Sequence, residues 1–85
     1  MRLDKFLKVS RIIKRRTVAN EACDNGRVSI NGRVAKAGTA VNVGDEVAIT
    51  FGDKVFTFRI LTVSETAKKD EAASMFEVLQ DKIVD

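Results

Sequence analysis

Apolar side chains recur at helical spacing near the start of this chain and at strand spacing through its middle. Leu3, Phe6 and Leu7 stand at i, i+3 and i+4, one stripe of a helix over residues 2–9. At about 100° per residue, Lys5 and Lys8 then project from the side opposite that stripe. Ser10 is placed to cap a second short helical segment, Arg11 to Arg16, whose apolar contacts are Ile12 and Ile13. Thr17 is the next candidate N-cap. The helix it opens runs from Val18 to Asn25, with Val18, Ala19, Ala22 and Cys23 as a narrow inward stripe. Asn20 and Glu21 fall in its first turn, where the helix dipole favours an acid. Gly26 supplies the left-handed residue that ends it.

The period then changes. Val28-Ser29-Ile30 alternates as a strand, Asn31-Gly32 is a strong hairpin signal, and Val34 resumes the alternation. Lys36 to Thr39 reads as a loop, Val41 and Val43 alternate again, and Gly44-Asp45 turns. Glu46 to Phe51 is a strand with Val47, Ile49 and Phe51 on one face. After Gly52-Asp53, a longer strand runs from Val55 to Val63, with Val55, Thr57, Arg59, Leu61 and Val63 on one side and Phe56, Phe58 and Ile60 on the other. Apolar residues on both sides predict a sheet covered, in part, on both faces. Ala72, Phe76 and Leu79 at i, i+4 and i+7 predict a closing helix within Lys68–Leu79, and Lys82 to Asp85 is expected to fray. The expected fold class is α+β: short N-terminal helices on a small twisted antiparallel sheet, with a C-terminal helix.

The chain has 85 residues, 45% hydrophobic and 32% charged, too apolar and too mixed in sign for disorder. One domain over 1–85 is expected, with a core motif at about 1–50 and an extension over 51–85. No apolar run approaches the roughly 20 residues that cross a bilayer, and the start lacks the pattern of a signal peptide. The single cysteine, Cys23, makes no internal disulfide. A cytoplasmic location is the expectation.

The residue inventory argues against catalysis. There is no histidine, and Cys23 lies on an apolar stripe, where a small buried hydrophobe is the preferred reading. One cysteine and no histidine make no tetrahedral zinc site, and the five glycines are dispersed at turns rather than gathered around a phosphate. Asp45 and Glu46 read as a solvated hairpin end. No enzyme activity, cofactor or metal is expected.

Charge is distributed unevenly. Residues 1–36 hold ten Lys/Arg against three acids, a net +7, while residues 37–85 carry a net −4. Within residues 1–16 seven bases, Arg2, Lys5, Lys8, Arg11, Lys14, Arg15 and Arg16, accompany one acid, Asp4. A solvated surface mixes its signs; this one is expected to face a polyanion, a nucleic acid or an acidic partner. Arginine forks and lysine ammonium groups meet phosphate oxygens well, and helix starts at Ser10 and Thr17 would add free N–H groups. In Lys14-Arg15-Arg16 one side chain must turn inward or stack, and Arg15 or Arg16 has Glu21 or Asp4 as a possible partner. Five phenylalanines with no tryptophan or tyrosine fit a core, which favours shape-and-phosphate recognition of folded RNA over base stacking.

Arg2-Leu3-Asp4-Lys5-Phe6-Leu7, Ser10-Arg11, Arg15-Arg16-Thr17-Val18-Ala19, Gly26-Arg27-Val28-Ser29-Ile30-Asn31-Gly32 and Val43-Gly44-Asp45 together resemble the small RNA-binding domain first recognised in ribosomal protein S-four. The resemblance covers roughly residues 1–50. It implies two arginine-bearing helices beside a small sheet, clamping structured RNA. The domain also occurs on pseudouridine synthases and tyrosyl-tRNA synthetases, whose catalytic domains are not expected here, since the 85 residues read as the RNA-binding domain and its extension. Among stand-alone members, the start Arg2–Arg11 and the stretch Lys68–Phe76 are similar to the bacterial RqcP group and, more distantly, to the heat-shock protein fifteen group. The acidic ending favours the former, since the latter carries a longer basic tail.

That resemblance implies binding to 23S rRNA and peptidyl-tRNA on a large ribosomal subunit carrying a stalled nascent chain. It further implies cooperation with a tRNA-recruiting quality-control partner that adds a C-terminal alanine tail. A monomer is expected, with no membrane partner. The residues expected to meet RNA are Arg2, Lys5, Lys8, Arg11, Lys14, Arg15, Arg16, Thr17, Asn31, Gly32 and Lys36. Rival readings are a heat-shock-protein-fifteen-like factor that recycles blocked large subunits, an adaptor whose basic face binds an acidic protein, and a DNA-binding regulator built on two short helices.

Overall fold

In the computed structural model, residues 1–65 and 68–83 are described, with side chains through residue 79. Helix α1 spans Leu3–Val9 and α2 spans Arg16–Asp24. Strands β1 (Val28–Ile30), β2 (Arg33–Val34), β3 (Glu46–Phe51) and β4 (Lys54–Ile60) follow. A one-turn helix α3 (Lys69–Ala72), a 3₁₀ turn (Ala73–Met75) and strand β5 (Phe76–Ile83) complete the order. The five strands form one antiparallel sheet in the order β2-β1-β3-β4-β5. The fold class is α+β, as the pattern of apolar residues predicts. Among the described residues no helix is long and apolar enough to cross a membrane.

Helix α1 lays Leu3, Phe6 and Leu7 fully into the core. Its first N–H groups are satisfied by the 37–39 loop and by a side chain of its own first turn. Leu3 donates to the Thr39 carbonyl (2.8 Å) and Asp4 to the Ala37 carbonyl (3.2 Å). The Lys5 N–H donates to the Asp4 carboxylate (2.8 Å). The loop around Gly38 therefore seats the start of α1.

The segment Arg11 to Arg16 is not the expected helix. Ser10 closes α1 rather than opening a new helix: its N–H donates to the Phe6 carbonyl (2.9 Å) and its hydroxyl to the Leu7 carbonyl (3.3 Å). Arg11 then takes a left-handed φ of 63°, which no right-handed helix accommodates, and residues 11–15 form turns that bury Ile13. Helix α2 starts at Arg16, earlier than the Thr17 cap predicts, with Arg15 as an extended N-cap whose side chain makes no capping bond. Its first turn holds no acid. Ala19 and Cys23 are buried, but Val18 lies about 100° around the helix from Ala19 and is 47% exposed, outside the seam. The end is a Schellman arrangement. Gly26 at φ 76° donates to the Cys23 carbonyl and Arg27 to the Ala22 carbonyl, both at 3.0 Å.

Asn31 (φ 51°) and Gly32 (φ 85°) form the two-residue turn between β1 and β2, whose positive φ angles match strand twist. Strand β3 has the predicted bounds, and β4 stops at Ile60, short of Val63. Val47, Ile49, Phe58 and Ile60 face the helices and are buried. The opposite face carries Ser29, Ala48 and Thr57, with Arg59 paired to Glu46 (2.9 Å) and Glu77 (3.7 Å). None of these belongs to the core cluster, so among the described residues the second face is not covered as expected.

The closing helix is also shorter than predicted. Ala72 and Met75 turn into the core, and from Phe76 the chain is extended and pairs with β4. Phe76 completes an aromatic cluster, 5.4 Å from Phe58 and 6.4 Å from Phe56. The free hydrogen-bonding edge of β4 is the physical reason, because a strand there pairs backbone groups that a helix would leave open. Lys82 and Ile83 continue β5 instead of fraying, while Val84 and Asp85 lie outside the described residues.

Candidate nucleic-acid interface

One carboxylate organises the amino-terminal cations. Asp4, at the start of α1, is buried, with 3% of its side chain exposed. Its Oδ1 accepts from Arg2 Nε at 3.1 Å and from the Lys5 backbone N–H at 2.8 Å. Its Oδ2 accepts from Arg2 Nη2 and Arg16 Nε, both at 3.4 Å, and from Asn20 Nδ2 at 3.3 Å. Burial pushes the Asp4 carboxyl up, but the hydrogen bonds from Asn20, Arg16 and Arg2 and the attraction of Arg16 outweigh it. The net effect holds the group below its ordinary value. Asp4 is thus an anion at neutral pH, and it pins two arginines while leaving each half outside: 53% of the Arg2 side chain and 46% of the Arg16 side chain are exposed.

Arg2, Lys5 and Arg16 border one hollow with Met1, Gly38, Ala40 and Glu65. A Cβ on Gly38 would sit 3.9 Å from the Arg2 guanidinium, so this loop forms a close wall beside it. Lys5 Nζ meets Glu65 Oε1 at 3.2 Å on the surface. A second hollow is lined by Asp4, Arg16, Thr17, Asn20 and Glu21. Arg16 lines both. The expected choice for Arg16 between Asp4 and Glu21 falls to Asp4.

The remaining residues expected to meet RNA are placed less compactly. Lys8 is exposed in the last turn of α1; Arg11, Lys14 and Arg15 are exposed on the turn between α1 and α2. Of Lys14, Arg15 and Arg16, one of which is expected to turn inward or stack, all three are exposed, and Arg16 takes the expected pairing with Asp4. Thr17 is exposed in the first turn of α2, so only one of the two expected helix starts exists. Lys36 is exposed on the loop that seats α1, its N–H donating to Thr39 Oγ1 (3.2 Å). Asn31 and Gly32 stand apart at the β1–β2 turn. The Asn31 amide is committed to the sheet: its Oδ1 accepts from the Glu46 N–H (3.0 Å) and its Nδ2 donates to Asp45 Oδ1 (3.1 Å). Asp45 also accepts from the Asn42 N–H (2.8 Å), so the Asp45-Glu46 pair is structural.

Sequence reasoning passed over Asp4 as the hub, and Asn20 and Gly38 as its surroundings. The available signal was the lone acid among seven cations and an asparagine one turn beyond Arg16 on the same helix face. Cys23 is fully buried, and burial, with the nearby Asp4 and Asp24 charges, pushes its thiol up to about 11. Among the described residues no group of three or more His, Cys, Asp or Glu is placed to hold a metal ion.

Residues 1–47 match the family model of the S4 domain. Over 96% of the chain, it is 57% identical to the RQC P-site tRNA stabilizing factor of Halalkalibacterium halodurans, covering 93% of that protein. The factor of the same name from Bacillus subtilis is 54% identical, with 96% of this chain and 95% of that one aligned. A heat shock protein 15 homolog of Aeromonas salmonicida is 35% identical over 88% of the chain, which spans 57% of it. Among solved structures, the trimeric Vibrio cholerae heat shock protein 15 superposes with a TM-score of 0.84 at 29% identity, covering 93% of this chain and 81% of that one. These matches agree with the cation pattern and the helix-on-sheet architecture: the chain belongs to the S4 domain family and, within it, to the group of the RQC P-site tRNA stabilizing factors.

Proposed function

We propose that this protein is a non-catalytic RNA-binding factor of ribosome-associated quality control, acting in the cytoplasm on the large ribosomal subunit. It binds 23S rRNA and the peptidyl-tRNA of a stalled nascent chain, and so supports C-terminal alanine tailing by a tRNA-recruiting partner. The observation that carries this reading is the pair of half-exposed arginines, Arg2 and Arg16, held on one buried carboxylate beside Lys5. Two fixed guanidinium forks and an ammonium around one hollow suit adjacent phosphates of a folded RNA backbone. Lys8, Arg11, Lys14, Arg15, the α2 start at Thr17 and Lys36 extend the positive field around them. The β1–β2 turn at Asn31-Gly32 offers backbone to a second RNA strand. Residues 1–85 act as one domain and as a monomer. The names of the relatives, RQC P-site tRNA stabilizing factors, support the choice of tRNA and pathway.

The test is co-sedimentation with purified large subunits carrying peptidyl-tRNA. Arg2→Ala with Arg16→Ala is expected to abolish it while leaving the circular dichroism spectrum unchanged. Undiminished co-sedimentation would overturn the reading. The likeness to the heat shock protein 15 structure favours a second reading, in which the same face recycles blocked subunits without tailing. Alanine tails that persist in cells lacking the protein would favour that alternative.

A further inference from the structure

We infer that Asn20 is a positioning residue of the RNA-binding face, acting through Asp4 to hold Arg2 and Arg16 with their outer edges free. The inference rests on the reading of that face given above. A buried anion beneath a surface built for a polyanion works against simple attraction, so its presence needs a geometric reason. Asp4 provides one. It takes the Nε and Nη2 of Arg2 and the Nε of Arg16, which leaves Nη1 of Arg2 and both terminal nitrogens of Arg16 without a bond to it. An arginine already ordered gives up less freedom when it meets a phosphate than one that must be ordered on binding.

Asn20 completes the arrangement on the α2 side. It stands four residues after Arg16, one turn along α2, and its Nδ2 donates to Oδ2, the same oxygen that Arg16 Nε holds. Among the described residues it is the one neutral side chain bonded to that carboxylate. Without it, Oδ2 would keep only the two long arginine contacts at 3.4 Å in a buried site, and the two arginines would close over it to strengthen them. Each step inward withdraws a fork from the outside. Asparagine is also a poor helix former in the interior of α2, where alanine would suit the backbone better. The residue therefore disfavours its own helix slightly, and its side chain supplies the compensating contact.

Asn20→Ala changes no charge and raises helix propensity, so a purely electrostatic or helix-stabilising role predicts unchanged binding. The positioning role predicts a different result. Binding of dye-labelled full-length protein to purified large subunits carrying peptidyl-tRNA, measured at several salt concentrations, should weaken about tenfold in Asn20→Ala. In an Arg16→Ala background the same change should have an effect under about threefold, since part of what Asn20 positions is gone. Asn20→Gln, which keeps an amide donor, should bind better than Asn20→Ala. Urea midpoints of all variants fix the conditions under which each is folded. Wild-type binding by Asn20→Ala, or a full tenfold loss retained in the Arg16→Ala background, overturns the inference. If Asn20→Ala is too unstable to measure, Asn20→Gln decides, and a loss as large as that of Arg16→Ala counts against positioning. Wild-type binding by Arg2→Ala with Arg16→Ala would instead defeat the underlying reading of the face, and this inference with it.

Discussion

The Phe6 ring of α1 lies 6.1 Å from the Phe58 ring of β4, with their planes only 11° apart. Both rings are fully buried, so this stack fixes onto the sheet the helix that carries Asp4 and Lys5 and follows directly on Arg2. Removing one ring should cost about 3–5 kcal/mol, which is a large share of the roughly 5–15 kcal/mol available to a small domain. Phe6→Ala is therefore expected to lower the urea midpoint sharply and to lose subunit binding together with the fold. Phe6→Leu should lose less of both. An unchanged midpoint for Phe6→Ala would remove the stack from the account of how α1 is held.

Asp4 makes stability depend on pH in a defined direction. Its folded carboxyl is held below the ordinary value of 3.8, so the unfolded chain takes up the proton first as pH falls. The stabilisation is fully present above the unfolded value and is lost as pH drops through the folded one. Asp4→Asn should thus be less stable than the parent near neutral pH, by about 1–3 kcal/mol, with the difference narrowing below about pH 4. Urea titrations at a series of pH values measure this. A constant difference down to pH 2 would contradict it.

Arg11 sits at a backbone position that suits glycine. At φ 63° an L side chain is strained, and Arg11→Gly should raise stability by up to about 1 kcal/mol, the relief exceeding the extra freedom of the unfolded chain. If Arg11 also meets a phosphate, as proposed, affinity for large subunits should fall while the fold becomes more stable. The slope of log affinity against log salt should then drop by about 0.7 to 0.9. A more stable variant with an unchanged salt slope would exclude Arg11 from the interface.

Cys23 should be chemically silent in the folded protein. Its thiol is fully buried and ionises only at about 11, so a thiol-specific reagent at pH 8 is expected to react in urea and not in buffer. Stability should also decline above about pH 9, because the unfolded thiol loses its proton before the folded one. Rapid labelling of the native protein would show that the α2 seam opens locally.

Local patterns were enough to locate α1, the Asn31-Gly32 turn and β3. In each, the periodicity and the punctuating residues agree within a few positions of one another, and no distant contact is needed to choose between alternatives. The same locality misled at Ser10, where a serine with a good capping side chain ends one helix instead of starting another. It also misled at Phe76, whose spacing from Ala72 fits a helix until the open edge of β4 is considered.

The amino-acid sequence by itself determined that cations crowd the first sixteen residues, that the order of elements is helices then strands, and which apolar residues form most of the core. These properties follow from composition and short-range spacing. Only the tertiary structure decided which cations act together. Arg2, the residue before α1, and Arg16, which opens α2, come together because the two helices pack so that both side chains reach Asp4, and the Arg16–Asp4 contact spans twelve residues that no periodicity encodes. The final strand was settled in the same way, by hydrogen bonds to a β4 edge that exists only once the sheet has formed.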